Sequence, residues 1–311
     1  MSSIPVHRAL EMRVAGRALF RGIGQIFFQE NAWSGLAFVA GIALGSPRMA
    51  LGAVAGSAIG LATAAALRFD REETAAGIYG FNAALVGVAT LFFFRTGAMS
   101  LALLVLGCVS ATLLTRWMRT RWPFPTYTTP FVVTAWVVFL LGSALDLPRV
   151  APLAPAPAGF VNAVANGLGQ VMFQAGFWPG ALFFVGVALN NRRHAAWILV
   201  GSIVGALMGS HHATAATRAI DPERLIERAL LENVALGLYG YNAALTAVAL
   251  SLARPSLFAP LLGMLISVVF TELIPLLGIP ALTAPFVLAT WVVLALGRLE
   301  DQFFKGGAGV V

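Results

Sequence analysis

Apolar runs alternate with short polar breaks along the whole chain, and five such runs lie in each half. In the first half they span about 32–47, 49–67, 75–94, 98–115 and 130–146. In the second half they span about 177–190, 195–213, 235–253, 258–276 and 284–298. A helix that crosses a bilayer needs about 20 apolar residues. The pattern therefore predicts an all-α integral membrane protein with ten apolar segments.

Three short phrases of the first half return in the same order in the second half. Residues 22–29 return as 167–174, 77–85 return as 237–245, and 125–132 return as 280–287. A duplicated membrane segment with Gly- and Pro-rich breaks at matching positions points to a central solute site. We expect a first repeat at 1–146, a Pro-rich linker at 147–161 and a second repeat at 162–311.

Basic residues indicate how the segments are oriented. With ten spans and a cytoplasmic N-terminus, 14 of the 20 Lys and Arg residues lie on the cytoplasmic side and 6 lie outside. This excess agrees with the positive-inside rule and places both termini in the cytoplasm. Because each repeat holds an odd number of spans, the two five-helix repeats are expected to be inverted relative to each other.

Composition supports lipid as the solvent of this chain. It is 59% hydrophobic and 11% charged, with a mean hydropathy of +0.84, whereas soluble domains carry about a quarter charged residues. The basic pI near 10.7 reflects loop residues and does not indicate a nucleic-acid partner. The single cysteine, Cys108, lies in an apolar run and is expected to be a core residue.

Acidic residues are expected to stay outside the solute path. All 13 lie at or beyond the ends of apolar runs, with Glu30 and Glu272 nearest to the phrases. Ion-coupled carriers usually hold an ionisable group inside the membrane. The adjacent pair His211 and His212 points in two directions on a helix and makes a poor metal site. No catalytic motif, metal site or cofactor motif is recognisable in the sequence, so we expect neither an enzyme nor a bound cofactor.

Neutral polar residues occupy the repeated breaks and are the candidate chemistry: Gln25, Gln170, Thr128 and Thr283. A buried amide or hydroxyl without a partner costs a few kcal/mol, so these groups either contact a ligand or brace the breaks. Breaks at membrane depth persist only where protein buries them or where they line a watery path. We therefore expect re-entrant or half-length helices that meet near the midplane.

Aromatic residues accompany both glutamines. Phe28 and Phe173 each follow a glutamine by three residues, a spacing that puts both side chains on one helical face. Two rings related by a pseudo-two-fold axis would form a flat slot, although rings at this spacing also occur as ordinary core.

Each threonine either caps its helix or faces the path. The stripes Gly52, Gly56, Gly60 and Gly201, Gly205, Gly209 are expected to pack helices within the chain.

These phrases together resemble the urea transporter, or urea channel, family. The likeness rests on Gly-x-Gly-Gln-x-x-Phe, Tyr-Gly-Phe/Tyr-Asn-Ala-Ala-Leu and Leu-Thr-x-Pro-Phe-x-x-x-x-Trp, and it covers nearly the whole chain. The resemblance implies passive flow of urea through a narrow selectivity filter, a homotrimer with one pore in each subunit, and contact with membrane lipid. The short termini are typical of a bacterial member in the cytoplasmic (inner) membrane.

The resemblance also implies roles for twelve pore residues. Phe28 and Phe173 would sandwich urea, Gln25 and Gln170 would offer oxygens, and Thr128 and Thr283 would lie in mid-filter. Ile26, Val171, Leu85 and Leu245 would form apolar walls, and Phe81 and Tyr241 would lie beside the outer and inner sites. Ala84 and Ala244 stand where hydroxyl residues are common in the family, and residues 174–176 depart from the pattern of 29–31.

Two other functions remain open at this point. The first is an ion-coupled carrier of another small neutral amide or amine. The second is a membrane enzyme that acts on a small nitrogen compound. Flux without dependence on protons or sodium argues against the carrier, and recovery of unchanged substrate argues against the enzyme.

Overall fold

Helices account for the fold of the residues that the computed structural model describes, which are 4–151, 159–217 and 225–305. The first seven are α1 (Ile4–Gln25), α2 (Ala32–Gly45), α3 (Pro47–Ala66), α4 (Arg71–Ala75), α5 (Phe81–Phe93), α6 (Ala98–Arg121) and α7 (Thr129–Ala144). The next seven are α8 (Phe160–Gly169), α9 (Phe177–Asn190), α10 (Arg192–Thr217), α11 (Leu225–Ala235), α12 (Gly240–Ala253), α13 (Phe258–Leu273) and α14 (Ala284–Lys305). The prediction of an all-α protein is confirmed.

Only some of the ten apolar runs form helices of full membrane length. Within the described residues, four helical segments are long and apolar enough to cross a bilayer: Pro47–Ala66, Ala98–Arg121, Arg192–Thr214 and Phe258–Leu277. Segments Phe160–Met172 and Phe177–Asn190 qualify only as a pair, and they are bent by 71° at the break between them. The chain is thus a multi-pass membrane protein, but not one built of ten uninterrupted spans.

Four further apolar helices are too short to cross a bilayer. Helices α2, α5, α7 and α12 hold 14, 13, 16 and 14 residues. At about 1.5 Å per residue they reach roughly 20–24 Å, less than the bilayer core of about 30 Å. Helix α5 begins six residues into its predicted run because Gly77 adopts φ +84° and forms a turn, and Gly237 does the same before α12 with φ +80°.

The linker between the halves is described only in part. Residues 147–151 run beside the end of α5, where Arg95 donates to the Pro148 carbonyl at 2.7 Å and Val150 donates to the Phe93 carbonyl at 3.1 Å. The central part of the predicted linker, 152–158, lies outside the described residues, as do 1–3, 218–224 and 306–311 of the predicted repeats.

Glycine stripes bring helix backbones together inside the chain, which confirms the packing interpretation. The positions of Gly56 and Gly60 face the Ala83 and Tyr79 backbones on and before α5. The position of Gly205 faces the backbone around Tyr239 in the same way. A side chain at these sites would overlap the facing carbonyl oxygens, so α3 and α10 approach their neighbours at backbone distance.

Reciprocal contacts join the two halves through α2 and α9. The ring of Phe183 fills the space beside Gly41, and the ring of Phe38 fills the space beside Gly186. Phe27 completes this cluster, with ring centroids 5.2 Å from Phe38 and 6.0 Å from Phe183. Helices α2 and α9 each place a phenylalanine against a glycine of the other helix, and such reciprocal contacts are the pattern of a two-fold interface.

We expect Gly56→Ala to lower the thermal stability of the purified protein. The new methyl group would meet the Ala83 carbonyl on a rigid helix, and overpacking of this kind costs about 1–3 kcal/mol. Gly97→Ala is the matched control, because a Cβ there meets no atom within 4 Å. Equal melting temperatures of both variants in detergent would contradict the packing interpretation.

Candidate functional site

Both glutamine phrases lie where a helix stops. Helix α1 ends at Gln25, and α8 ends at Gly169 with a short 3-10 turn after it. Beyond each break a phenylalanine takes a left-handed backbone conformation, with φ 61° at Phe28 and φ 59° at Phe173. Non-glycine residues rarely adopt this region, so the same uncommon turn occurs twice at matching positions.

The spacing of each Phe from its Gln therefore falls in a turn and not on the face of an α-helix. The helix has already ended before the ring, and the next glutamine closes the turn. Gln29 donates its side-chain amide to the Phe27 carbonyl, and Gln174 donates to the Met172 carbonyl at 2.8 Å. They brace turns of 3-10 type, in which the Phe28 amide donates to the Gln25 carbonyl at 2.9 Å and the Phe173 amide donates to the Gln170 carbonyl at 3.1 Å.

Each ring of the repeated turn packs against the opposite half. The Phe28 centroid lies 6.2 Å from that of Phe286, and the Phe173 centroid lies 6.4 Å from that of Phe131. Phe173 also stacks on Phe92 at 4.7 Å with the planes tilted by 37°. Among the described aromatic contacts none joins Phe28 to Phe173, so the direct pairing of these two rings into one slot stays a prediction.

Threonine hydroxyls meet at the centre of the molecule. The Oγ1 atoms of Thr128 and Thr283 lie 2.7 Å apart, and both side chains are buried. Thr128 precedes α7 without capping it through its side chain, so its hydroxyl is not used as a cap. The central hydrogen bond thus joins the equivalent atoms of the two Thr-x-Pro-Phe phrases.

A pair of buried asparagines, for which the sequence analysis gives no role, holds these helix starts in place. The Oδ1 atom of Asn82 accepts a hydrogen bond from the Phe131 amide at 3.2 Å, and Asn242 accepts from the Phe286 amide at 3.2 Å. Their amide groups donate to the Thr115 hydroxyl at 3.1 Å and the Thr271 hydroxyl at 3.4 Å. The signal available in the sequence was an Asn repeated inside an apolar run.

The two tryptophans that end the Thr-x-Pro-Phe-x-x-x-x-Trp phrases cross between the halves, a contact that the motif did not indicate. The indole of Trp136 donates to the Pro280 carbonyl at 2.8 Å, and the indole of Trp291 donates to the Pro125 carbonyl at 2.9 Å. Each half thereby supplies a hydrogen bond to the broken segment of the other. Their spacing from the Thr-x-Pro-Phe phrase is the same in both copies, which was the available clue.

A cavity of about 580 Å³ opens beside the second glutamine. Five of the twelve predicted pore residues line it: Gln170, Val171, Phe173, Tyr241 and Thr283. Ile26, Leu85 and Leu245 are buried, and Thr128 reaches the cavity wall through its bond to Thr283. Gln25, Phe28 and Phe81 are half-buried and do not line this cavity.

The two glutamines differ in their partners. Gln25 donates its amide to the Ala76 carbonyl at 3.1 Å. The Nε2 atom of Gln170 is buried and has no hydrogen-bond partner, although the residue lines the cavity. A buried amide without a partner costs about 1–3 kcal/mol, so this group favours contact with a ligand over bracing of the break.

The expectation for the acidic residues needs one correction. Glu30 is exposed, as expected. Glu272 lies within α13 and lines the cavity, with its Oε2 atom 3.4 Å from His212 Nε2. The sequence put this residue near the end of an apolar run, but α13 packs so that this end faces the cavity. Among the described residues no group of three or more His, Cys, Asp and Glu side chains is placed to hold a metal ion.

A family model described as "Urea transporter" matches residues 17–222 and 223–298 of the chain. The chain belongs to the urea transporter family. It is similar to urea transporter 1 of Ovis aries and of Capra hircus, with 26% identity over 326 residues, 92% of this chain and 78% of each relative. Urea transporter 1 of Rattus norvegicus is 25% identical over 320 residues with the same coverage. The resemblance read from the repeated phrases is confirmed.

Membership of this family also decides between the two classes of function. The family consists of transporters, so the prediction that the chain is not an enzyme is confirmed. The membrane-enzyme alternative has no support.

We expect the two threonine hydroxyls to be coupled in stability. Thr128→Val or Thr283→Val alone leaves one buried hydroxyl without its partner, at a cost of about 1–3 kcal/mol, whereas the double variant removes both ends of the bond and is close to either single variant. Thermal melting of the four proteins in detergent measures the coupling.

Thr90 supplies the control for this cycle. Its buried hydroxyl donates to the Val86 carbonyl of its own helix at 2.8 Å. The effects of Thr90→Val and Thr128→Val should add, because the two side chains share no bond. Additive effects of the Thr128 and Thr283 variants would instead show that the central hydrogen bond contributes nothing.

Proposed function

We propose that this chain conducts urea passively across its membrane through a narrow channel between its two halves. The observation that carries the proposal is the central arrangement of duplicated polar groups and aromatic turns in a member of the urea transporter family. Urea is flat and neutral, with N–H donors in its plane and one carbonyl acceptor. An apolar path with neutral acceptors along it suits this solute and excludes hydrated ions, which would lose their water without replacement.

The central threonines fit passage of such a solute. One of their hydroxyls donates a hydrogen bond to the other, and each can instead accept an N–H or donate to a carbonyl. Urea entering between them would exchange one hydrogen bond for others of similar strength. A small difference in energy between the two arrangements permits both entry and exit, as conduction requires.

We further propose the predicted pore residues as the lining of this path. Gln25 and Gln170 would flank it beside Phe28 and Phe173, with the threonines at mid-path. Ile26, Val171, Leu85 and Leu245 would form its apolar walls, with Phe81 and Tyr241 nearby. Support comes from the cavity beside Gln170 and from the matched turns at both phenylalanines.

The halves are proposed to be inverted repeats, 1–146 and 162–311 joined by 147–161, in a lipid-embedded homotrimer. The reciprocal contacts of Phe38 with Gly186 and Phe183 with Gly41 support a two-fold relation. The excess of basic residues on one side supports cytoplasmic termini. Placement in a bacterial inner membrane stays a prediction, since the similar proteins described above come from mammals.

Removal of either ring should reduce selectivity more than folding. In Phe28→Ala and Phe173→Ala, loss of a ring contact of about 1 kcal/mol and a wider path are expected to reduce discrimination between urea and larger amides about fivefold. Stopped-flow light scattering on proteoliposomes measures both permeabilities. Phe258→Ala is the control, because that ring is 71% exposed. Wild-type selectivity in both correctly assembled variants would contradict the placement of the rings.

Urea flux should carry no current and should need neither a sodium nor a proton gradient. The polar side chains among the predicted pore residues, which are two amides, two threonine hydroxyls and the Tyr241 phenol, hold no net charge at pH 7. Proteoliposomes with clamped potential and exchanged cations test this directly. Flux that follows a sodium or proton gradient would favour the ion-coupled carrier instead.

A further inference from the structure

The two ends of the proposed path differ in one polar cluster that the repeat places at equivalent positions. In the first half Glu73 lies near Tyr79. Thr115 and Thr271 make equivalent bonds to Asn82 and Asn242, and the alignment of these threonines makes Arg116 the position equivalent to Glu272. In the second half Tyr239 is equivalent to Tyr79, and Asn233 is equivalent to Glu73. The first copy thus has its carboxylate on α4. The second copy has it on α13, at the position where the first copy has an arginine.

The first-half carboxylate is fully engaged with its own protein. Arg119 and Tyr79 both donate hydrogen bonds to Glu73. Burial acts to raise the pKa of Glu73, but the bonds from Arg119 and Tyr79 outweigh it and the pKa is lowered. Because its oxygens already accept these hydrogen bonds, the Glu73 carboxylate has little remaining capacity to bind a solute.

The second-half carboxylate is not satisfied in the same way. The Oε1 atom of Glu272 is buried and has no hydrogen-bond partner. Its Oε2 atom faces His212 at 3.4 Å, and the Tyr239 hydroxyl lies beside the carboxyl group. The first copy's Arg119 is replaced by Pro275, which cannot donate.

A second unpaired group shares the same cavity. Gln170 is 7% exposed, and its Nε2 atom also lacks a partner. Glu272 and Gln170 both line the 580 Å³ space, together with the rings of Phe92, Phe93 and Phe173. A buried acceptor, a buried donor and flat apolar walls complement a planar solute that carries several N–H groups.

We propose that Glu272 makes this cavity a binding site for planar, N–H-rich solutes, and that guanidinium, the cationic analogue of urea in shape, is retained there and blocks urea flux. The inference deepens the proposed function and rests on it for the flux measurement. Guanidinium presents paired N–H donors in one plane to a carboxylate, and such charge-assisted bonds are about twice as strong as neutral ones. Urea makes the same contacts without the charge and is released.

The site is expected to act from one end of the path only. Glu73 in the first-half cluster is occupied by Arg119 and Tyr79. Guanidinium should therefore inhibit from the compartment that the cavity faces and not from the other. The free cation would have to cross the central threonines and apolar walls to reach the site from behind.

The test measures urea flux into proteoliposomes of one orientation, with guanidinium chloride added to either side. Tetramethylammonium chloride at equal concentration controls for ionic strength, since it has no N–H donor. We expect one-sided inhibition of the wild type by guanidinium, and in Glu272→Gln an inhibitory concentration raised about tenfold or more. Glu73→Gln should leave inhibition as in the wild type.

Several results would overturn the inference. They are inhibition by both cations alike, inhibition from both sides alike, or unchanged inhibition in Glu272→Gln.

Calorimetry of guanidinium binding to the purified protein gives a second readout, in which binding should weaken about tenfold in Glu272→Gln and not in Glu73→Gln. Guanidinium binding that depends on Glu272 in a protein without urea flux would support this site while rejecting the proposed function. The comparison of the two cations on the wild type needs no variant and keeps the test valid if Glu272→Gln does not fold.

Discussion

The centre of this protein depends on hydrogen bonds to helix starts that water cannot reach. The first amides of a helix have no partner within it, and in α7 and α14 a proline removes one of them. Asn82 and Asn242 accept the next amide from inside the apolar core, and both side chains are buried. Because these two bonds fix where the broken helices begin, they also fix where the neighbouring threonines meet. In lipid each unsatisfied amide would cost several kcal/mol, so the break and its asparagine belong together.

Symmetry and divergence are separated in space. The inner groups occur twice with nearly the same geometry: the asparagine bonds, the left-handed phenylalanines and the tryptophan bonds across the halves. Toward the two ends of the proposed path the copies differ. Arg116 is the residue equivalent to Glu272, and Glu73 is the residue equivalent to Asn233. Along the proposed path, a solute would meet equivalent groups in the middle and different charges at the two ends.

Much of the fold could be predicted from the sequence, and the limits have physical causes. Apolar runs located ten of the helices, and the repeated phrases located the breaks. The backbone of Phe28 was beyond prediction, because its left-handed turn depends on bonds made by the next glutamine and not on helical spacing. Glu272 was misplaced because tertiary packing decides whether the end of a helix faces lipid or a cavity. The role of the asparagines was not predicted, because the sequence around a single polar residue in an apolar run does not show which group its side chain hydrogen-bonds to.

The indole bonds of Trp136 and Trp291 have a consequence for biosynthesis. Each ends on a carbonyl of the other half, at Pro280 and Pro125. While the ribosome is still making the second half, the first half already lies in the membrane with its Pro125 carbonyl and the Thr128 hydroxyl awaiting partners not yet translated. These bonds can form only after the second half has been translated, and a chain that stopped after its first half would leave the Pro125 carbonyl and the Thr128 hydroxyl without these partners.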